Sequence, residues 1–144
     1  MKKIVALMDS RELSYEMQEF SKRDDVEFYN SMEKEQSKVI EIVKDADVIL
    51  FTDVSINSEV IDCLEKCKLI IRYGIGYDNV DTKKAAEKGI IVCNAPNYGV
   101  VDVAEHAMSL IMACSKRLVY MNDCVRDKFW NIGEMGASSS LAGK

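Results

Sequence analysis

The residues best placed to do chemistry lie in the stretch KLIIRYGIGYDNVD, Lys68 to Asp81, where an apolar run ends in two glycines. Gly74 and Gly76 carry no Cβ, so the backbone there can bend sharply and approach a bound group, with its N–H donors facing an anion. Tyr73, Gly74, Ile75 and Gly76 are therefore the first candidates for an anion seat. A glycine-rich turn after a strand also suggests a dinucleotide pyrophosphate cradle, and the sequence fails that test place by place. Asn79 stands where a third glycine should let a helix pack closely, and Cys93 and Asn94 end the next apolar run where an acidic residue should meet the ribose.

The other reactive side chains have plainer readings. His106, the only histidine, sits beside Glu105 in an apolar helical stretch and reads as a packed or interface residue. Cys63 and Cys67 share a helical face without a histidine or a second thiol pair, so they read as small buried hydrophobes and no metal site is expected. Five cysteines at irregular spacing in 144 residues fit a reducing compartment. A net charge of -5 with no basic stripe argues against nucleic acid as a partner. No apolar run approaches the ~20 residues that span a bilayer, and the N-terminus lacks a signal h-region. The expectation is a cytoplasmic protein with one ordinary core and no membrane or nucleic-acid partner.

Positioning these residues requires a scaffold, and the chain alternates strand and helix. Ile4 to Met8, Val26 to Tyr29, Val48 to Phe51, Leu69 to Arg72 and Ile90 to Cys93 read as strands. Asp9 with Glu12 makes a capping box for a helix carrying Leu13, Met17 and Phe20; Asn30 with Glu33 does the same for one burying Val39, Ile40 and Val43. Asn57 begins a helix with Val60, Leu64 and Cys67 in step, and Asp81 caps a short helix stopped by Gly89. Five apolar runs separated by amphipathic helices require a parallel sheet covered on both faces, an α/β, flavodoxin-like, doubly wound five-stranded fold. Ligands of such sheets gather outside the carboxyl ends of the strands, which selects Asp9, Thr52, Asp53, Tyr73 to Gly76 and Asn94 to Asn97.

Beyond Gly99 the pattern changes. Asp102 and Glu105 make a third capping box, and the helix expected from Asp102 to Met121 is apolar almost all round, so a partner should cover it. Asn131 to Ser140 reads as a polar linker.

Lys68 to Leu118, with Trp130 and the closing LAGK, resembles the substrate-domain signature of the D-isomer-specific 2-hydroxyacid dehydrogenases, the group that includes phosphoglycerate dehydrogenase and the C-terminal-binding-protein co-repressors. The resemblance implies a substrate domain over residues 1–99, an inter-domain and dimerisation helix over 100–128, and a linker over 129–144 leading to a nicotinamide-binding Rossmann domain on which the helix would dock. It implies hydride transfer between NAD(H) and a small 2-hydroxy or 2-oxo acid, a homodimer through the 102–121 helix, and no activity in this chain alone, since the family's histidine, glutamate and arginine lie beyond the cofactor fingerprint. Carried over residue by residue, Tyr73, Gly74, Ile75 and Gly76 would meet the substrate carboxylate, with Ile75 also touching the cofactor. Ile75 stands where several relatives have a hydroxyl, and Ala107, a second cofactor position, where many have threonine. Phe51 stands where phosphoglycerate-using members have an arginine. Asp78 and Asn79 would fix the turn. The strand-end rule adds Thr52, Asp53 and Asn97 to the substrate side. Two other classes share the pattern. A receiver-like phosphoacceptor module would use Asp9 and Asp53 with magnesium, but lacks a second acid beside Asp9 and a lysine where Asn94, Ala95 and Pro96 stand. A non-catalytic binding module derived from the dehydrogenase fold is the other.

Overall fold

The computed structural model describes residues 1–7, 13–136, 138 and 140–143. Contacts divide the chain into two compact units, Met1–Asn97 and Tyr98–Lys144.

The first unit is a five-stranded sheet: β1 (Lys2–Leu7), β2 (Val26–Ser31), β3 (Val48–Phe51), β4 (Leu69–Arg72) and β5 (Ile91–Asn94). All neighbours run parallel, in the order β2-β1-β3-β4-β5. The expected doubly wound sheet is present. Its strands are joined by α1 (Ser14–Phe20), α2 (Gln36–Val43), α3 (Ser58–Cys63) and α4 (Thr82–Glu87). Side chains alternate between the two faces of a strand, and the core divides accordingly. Val5, Leu7, Ile49, Phe51 and Ile70 pack with Val39, Val43, Val60, Ile61 and Ala85 from α2, α3 and α4. Ile4, Ala6 and Leu50 pack on the other face with Leu13, Phe20 and Phe28, the two phenyl rings stacking at 5.1 Å.

Local signals explain most element ends. Asn57 caps α3 by accepting the Val60 N–H at 3.1 Å, and Asp81 caps α4 through the Lys84 N–H at 3.0 Å. Gly89 follows α4 with φ +69°, the left-handed stop that glycine adopts without strain. Two expectations need correction. Asn30 lies inside β2 rather than at a cap, and Glu33 instead accepts the N–H groups of Lys34 and Glu35 at 2.9 and 3.0 Å ahead of α2. The helix expected to reach Cys67 stops at Cys63, because Leu64 turns extended. There the Lys88 ammonium takes over the loose carbonyls of Ile61, Asp62 and Leu64, at 2.8, 2.8 and 3.1 Å. Leu64 and Cys67 are still buried, whereas Cys63 is exposed, contrary to its reading as a core residue. Asp9 and Glu12 lie outside the described residues.

At the amino ends of the strands, Asp47 is buried and ties β1 to β3. Its carboxylate accepts the Lys3 N–H at 2.9 Å and the Lys2 ammonium at 3.0 Å, with Lys66 at 3.6 Å. The main-chain bond and then the Lys2 contact hold its carboxyl down at about 2. A depressed carboxyl stabilises the fold above its unfolded value, about 3.9, and that contribution is lost as pH falls through the folded value. Asp47→Asn is therefore expected to flatten the stability loss on acidification between these two values, read by urea unfolding across the acid range. A slope identical to the parent would show the carboxylate carries no such linkage.

The second unit contains α5 (Val100–Ser115), α6 (Leu118–Arg126) and α7 (Ile132–Met135). The single helix expected from Asp102 to Met121 is two helices. Arg117 adopts a left-handed φ of 52° between them, and its N–H reaches only to the Cys114 carbonyl. The Arg117 guanidinium lies 4.3 Å from the centre of the Tyr120 ring, a cation–π contact that offsets part of the strain of that turn. α5 begins at Val100 after Gly99, so Asp102 sits in its first turn and favours the helix dipole rather than serving as the cap. No side chain of α5 is buried, and Val101, Val103, Met108, Leu110 and Ile111 are exposed.

Candidate functional site

The candidate site is the carboxyl end of β3 and β4, where strand pairing hands over to two loops. Phe51 pairs with Arg72 in the parallel register, so Thr52–Asp53 and Tyr73–Gly76 leave the sheet side by side. The Thr52 carbonyl ties these loops together. It accepts Arg72 Nε at 3.1 Å and Asn79 Nδ2 at 3.4 Å, and Asn79 Nδ2 also reaches the Val54 carbonyl at 3.0 Å. A single parallel bridge, Ile56 to Val80, closes the far side, with the Ile56 N–H on the Asn79 carbonyl at 2.8 Å. Asn79 thus fixes the turn.

The four residues of the glycine turn do different work. The Tyr73 N–H continues the ladder to the Phe51 carbonyl at 2.8 Å, and the Gly74 N–H folds back on the Arg72 carbonyl at 2.9 Å. Those two donors are already used. Among the described residues, no acceptor meets the N–H groups of Ile75 and Gly76. Their loop is braced from the β5 side, where Asn94 Nδ2 donates to the Ile75 carbonyl at 2.7 Å and the Ala95 N–H to the Gly74 carbonyl at 3.0 Å. The Tyr73 ring joins the core beside Ile4, Ala6 and Leu50. Burial, then the Glu16 carboxylate beside it, push the phenol up to about 12, so it stays protonated near neutrality and is not a base.

The two glycines also differ. A Cβ on Gly74 would come within 1.7 Å of Arg72 Nη1, so the guanidinium lies in the space that the missing Cβ leaves. A Cβ on Gly76 would meet only Asp78 Oδ2, at 3.3 Å, and leaves room for a ligand. Neither has a positive φ, so close approach, not left-handed geometry, is the reason for both.

Thr52 is buried and Asp53 stands at the rim. The Asp53 carboxylate takes the Lys34 ammonium at 2.6 Å and the Thr52 hydroxyl at 3.3 Å. The Lys34 contact first, then the Thr52 hydroxyl, hold its carboxyl below the usual range against the opposing effect of burial. Asn97 is exposed at the end of the first unit, Ala107 is exposed on α5 in the second, and Asp9 lies outside the described residues. Among the described residues no three His, Cys, Asp or Glu side chains group as metal ligands. Sequence reasoning missed Lys34, because nothing local signals that a loop lysine meets an aspartate 19 positions on. Phe51, which stands where phosphoglycerate-using members of the resembled family have an arginine, is fully buried in the main core.

Fold and rim together define the class: a doubly wound α/β domain whose candidate site lies at the strand ends. Residues 5–141 match the family model of the D-isomer specific 2-hydroxyacid dehydrogenase, catalytic domain. The chain belongs to that family. It is 38% identical over 96 residues to a glyoxylate reductase of Korarchaeum cryptofilum, a match that covers 65% of this chain and 29% of the relative. It is 36% identical over 108 residues to a D-3-phosphoglycerate dehydrogenase of Methanocaldococcus jannaschii, covering 74% and 20%. The matches thus take in less than a third of either relative. Among solved structures, the D-lactate dehydrogenase from Aquifex aeolicus complexed with NAD and lactic acid superposes with a TM-score of 0.76 at 26% identity, over 96% of this chain and 41% of that one. The acyclic imino acid reductase Bsp5, in complex with NADPH and D-Arg, shares the fold at a TM-score of 0.84 and 21% identity, over 96% and 45%.

Proposed function

We propose that this chain supplies the substrate side of an oxidoreductase that moves a hydride between NAD(H) and a small 2-hydroxy or 2-oxo acid. The observation that carries the reading is the pair of unused N–H donors at Ile75 and Gly76, on a loop braced by Arg72, Asn79 and Asn94. A substrate carboxylate accepting both donors is held without reorganising the loop, and preorganised donors are what electrostatic catalysis requires. Thr52, Asp53 and Asn97 would border the substrate; Tyr73 and Gly74 would support the seat from below. When bound, NAD supplies the hydride carrier. The 42% exposed side chain of Ile75 would meet its nicotinamide end, and Ala107, exposed on α5 of the second unit, is a cofactor position that the family resemblance alone supplies. No pyrophosphate cradle is built here, since Tyr77 to Asp81 separate Gly76 from α4.

The domain plan that goes with this reading assigns residues 1–99 to the substrate domain, 100–128 to an inter-domain and dimerisation segment, and 129–144 to a linker toward the cofactor domain, without which the chain is inactive. Five unpaired cysteines favour the cytoplasm. Among substrates, glyoxylate, pyruvate or hydroxypyruvate fit better than a phosphorylated acid, because the position that would hold a phosphate-binding arginine is the buried Phe51.

Titrating the isotope-labelled chain with pyruvate tests the seat. The Ile75 and Gly76 amide resonances are expected to move, and Gly76→Val to weaken binding about tenfold or more, the worth of one charge-assisted hydrogen bond. Spectra that stay at parental positions away from the loop verify that the variant is folded, and an unchanged affinity in it would remove the loop from the site. The apolar surface of α5 is expected to drive dimer formation. Sedimentation showing only monomer throughout the micromolar range would rule that out.

A further inference from the structure

The two open donors of the glycine turn belong to two successive peptide units, and each unit is held at its other end from the β5 side. The N–H of Ile75 shares a peptide with the Gly74 carbonyl, which accepts the Ala95 N–H at 3.0 Å. The N–H of Gly76 shares one with the Ile75 carbonyl, which accepts Asn94 Nδ2 at 2.7 Å. A trans peptide is planar, with its C=O and N–H pointing opposite ways. Holding both carbonyls toward β5 therefore aims both N–H groups away from it.

The two anchors differ in kind. The first is main chain on both sides, so it is indifferent to which residue stands at position 95. The second is a side chain with a strict requirement: a carbonyl oxygen only accepts, so the group opposite it must donate. The Asn94 amide meets that requirement, and its backbone is fixed in the parallel register of β5 opposite Arg72. An ionised aspartate of the same shape would set a negative oxygen against the Ile75 carbonyl. Hydrogen bonds in a chain also polarise one another, so a donor on the carbonyl strengthens the N–H at the far end of the same peptide.

Resting on the reading of Ile75 and Gly76 as the carboxylate seat, we propose that Asn94 is a positioning residue for that seat, acting through the Ile75–Gly76 peptide to aim and polarise the Gly76 N–H toward the acid.

Amide-shift titration with pyruvate tests this on the 144-residue chain, on Asn94→Ala and on Asn94→Asp. In ligand-free Asn94→Ala the Gly76 amide nitrogen is expected to shift more than that of Ile75, whose peptide keeps its Ala95 anchor. Pyruvate affinity should fall about threefold or more, within the worth of one neutral hydrogen bond. Asn94→Asp gives the sharper readout. Its protonated carboxyl still donates to the Ile75 carbonyl and its ionised form cannot, so the ratio of parent to variant affinity should widen about tenfold as pH rises through the carboxyl range, ordinarily about 3.9. Arg72, Tyr77, Asp78 and Cys93 around the turn, and Asp53 with Lys34 on the neighbouring loop, are common to all three proteins, so that difference belongs to position 94. Spectra at parental positions away from the turn verify that each variant is folded. If pyruvate moves Ile75 and Gly76 in the parent while both variants bind it with parental affinity at every pH, the seat stands and the role of Asn94 is refuted. If pyruvate moves neither amide in the parent, the seat itself is wrong and Asn94 has nothing to position.

Discussion

Phe51→Ala is expected to destabilise the protein by about 3–5 kcal/mol, the usual cost of emptying a fully buried aromatic site. Phe51 ends β3, in a sheet position flanked by Leu7 on one side and Arg72 on the other, and none of its side chain reaches solvent. Its ring belongs to the cluster that α2, α3 and α4 close over, with Leu7, Ile49, Ile56 and Ile70. The surrounding backbone is pinned by parallel pairing on both sides and cannot collapse into the void. A domain of ordinary stability holds only about 5–15 kcal/mol in total, so about a fifth or more would be lost. Thermal unfolding should move down by more than about 10 °C. A shift of one or two degrees would mean that the ring is not packed as described. Phe51→Arg would place a guanidinium in the core and is expected to unfold the domain.

Turnover should be undetectable when residues 1–144 are mixed with NADH and glyoxylate, pyruvate or hydroxypyruvate, whatever the enzyme concentration. Reduction of a 2-oxo acid needs a proton donor at the carbonyl oxygen, and a positioned general acid contributes typically about 10²–10⁴-fold. His106, the only histidine, is exposed on α5 in the second unit, and the Tyr73 phenol is held protonated up to about 12. Arg72 is spent on the Thr52 carbonyl and on packing against Gly74. At the rim, the Asp53 carboxylate and the Lys34 ammonium are engaged with each other at 2.6 Å. Steady NADH oxidation above the uncatalysed rate would overturn the division of labour.

Much of the scaffold was legible because it depends on neighbours in sequence. The apolar runs Val48–Phe51 and Leu69–Arg72 are strands with the expected ends. Asn57 and Asp81 cap the helices they precede, since a side-chain oxygen three residues ahead of an N–H reaches it in almost any context. Where a local pattern failed, a tertiary demand overrode it. Asn30 looked like a cap but is needed in β2, paired with Ala6, and the apolar run past Ser115 turns at Arg117, whose guanidinium finds the Tyr120 ring.

The candidate rim divides in the same way. The amino-acid sequence by itself determined that a wound parallel sheet would form and that a glycine turn would emerge at the carboxyl end of its fourth strand, because hydrophobic periodicity and missing Cβ atoms are written locally. Tertiary structure alone decided which donors of that turn stay open, because the Tyr73 N–H is consumed by a strand 22 residues earlier and the Gly74 gap is filled by Arg72. It also decided that Lys34 meets Asp53. Such pairings depend on the order in which strands assemble into the sheet, and distance in space between residues far apart in the chain is settled only when the whole sheet is packed.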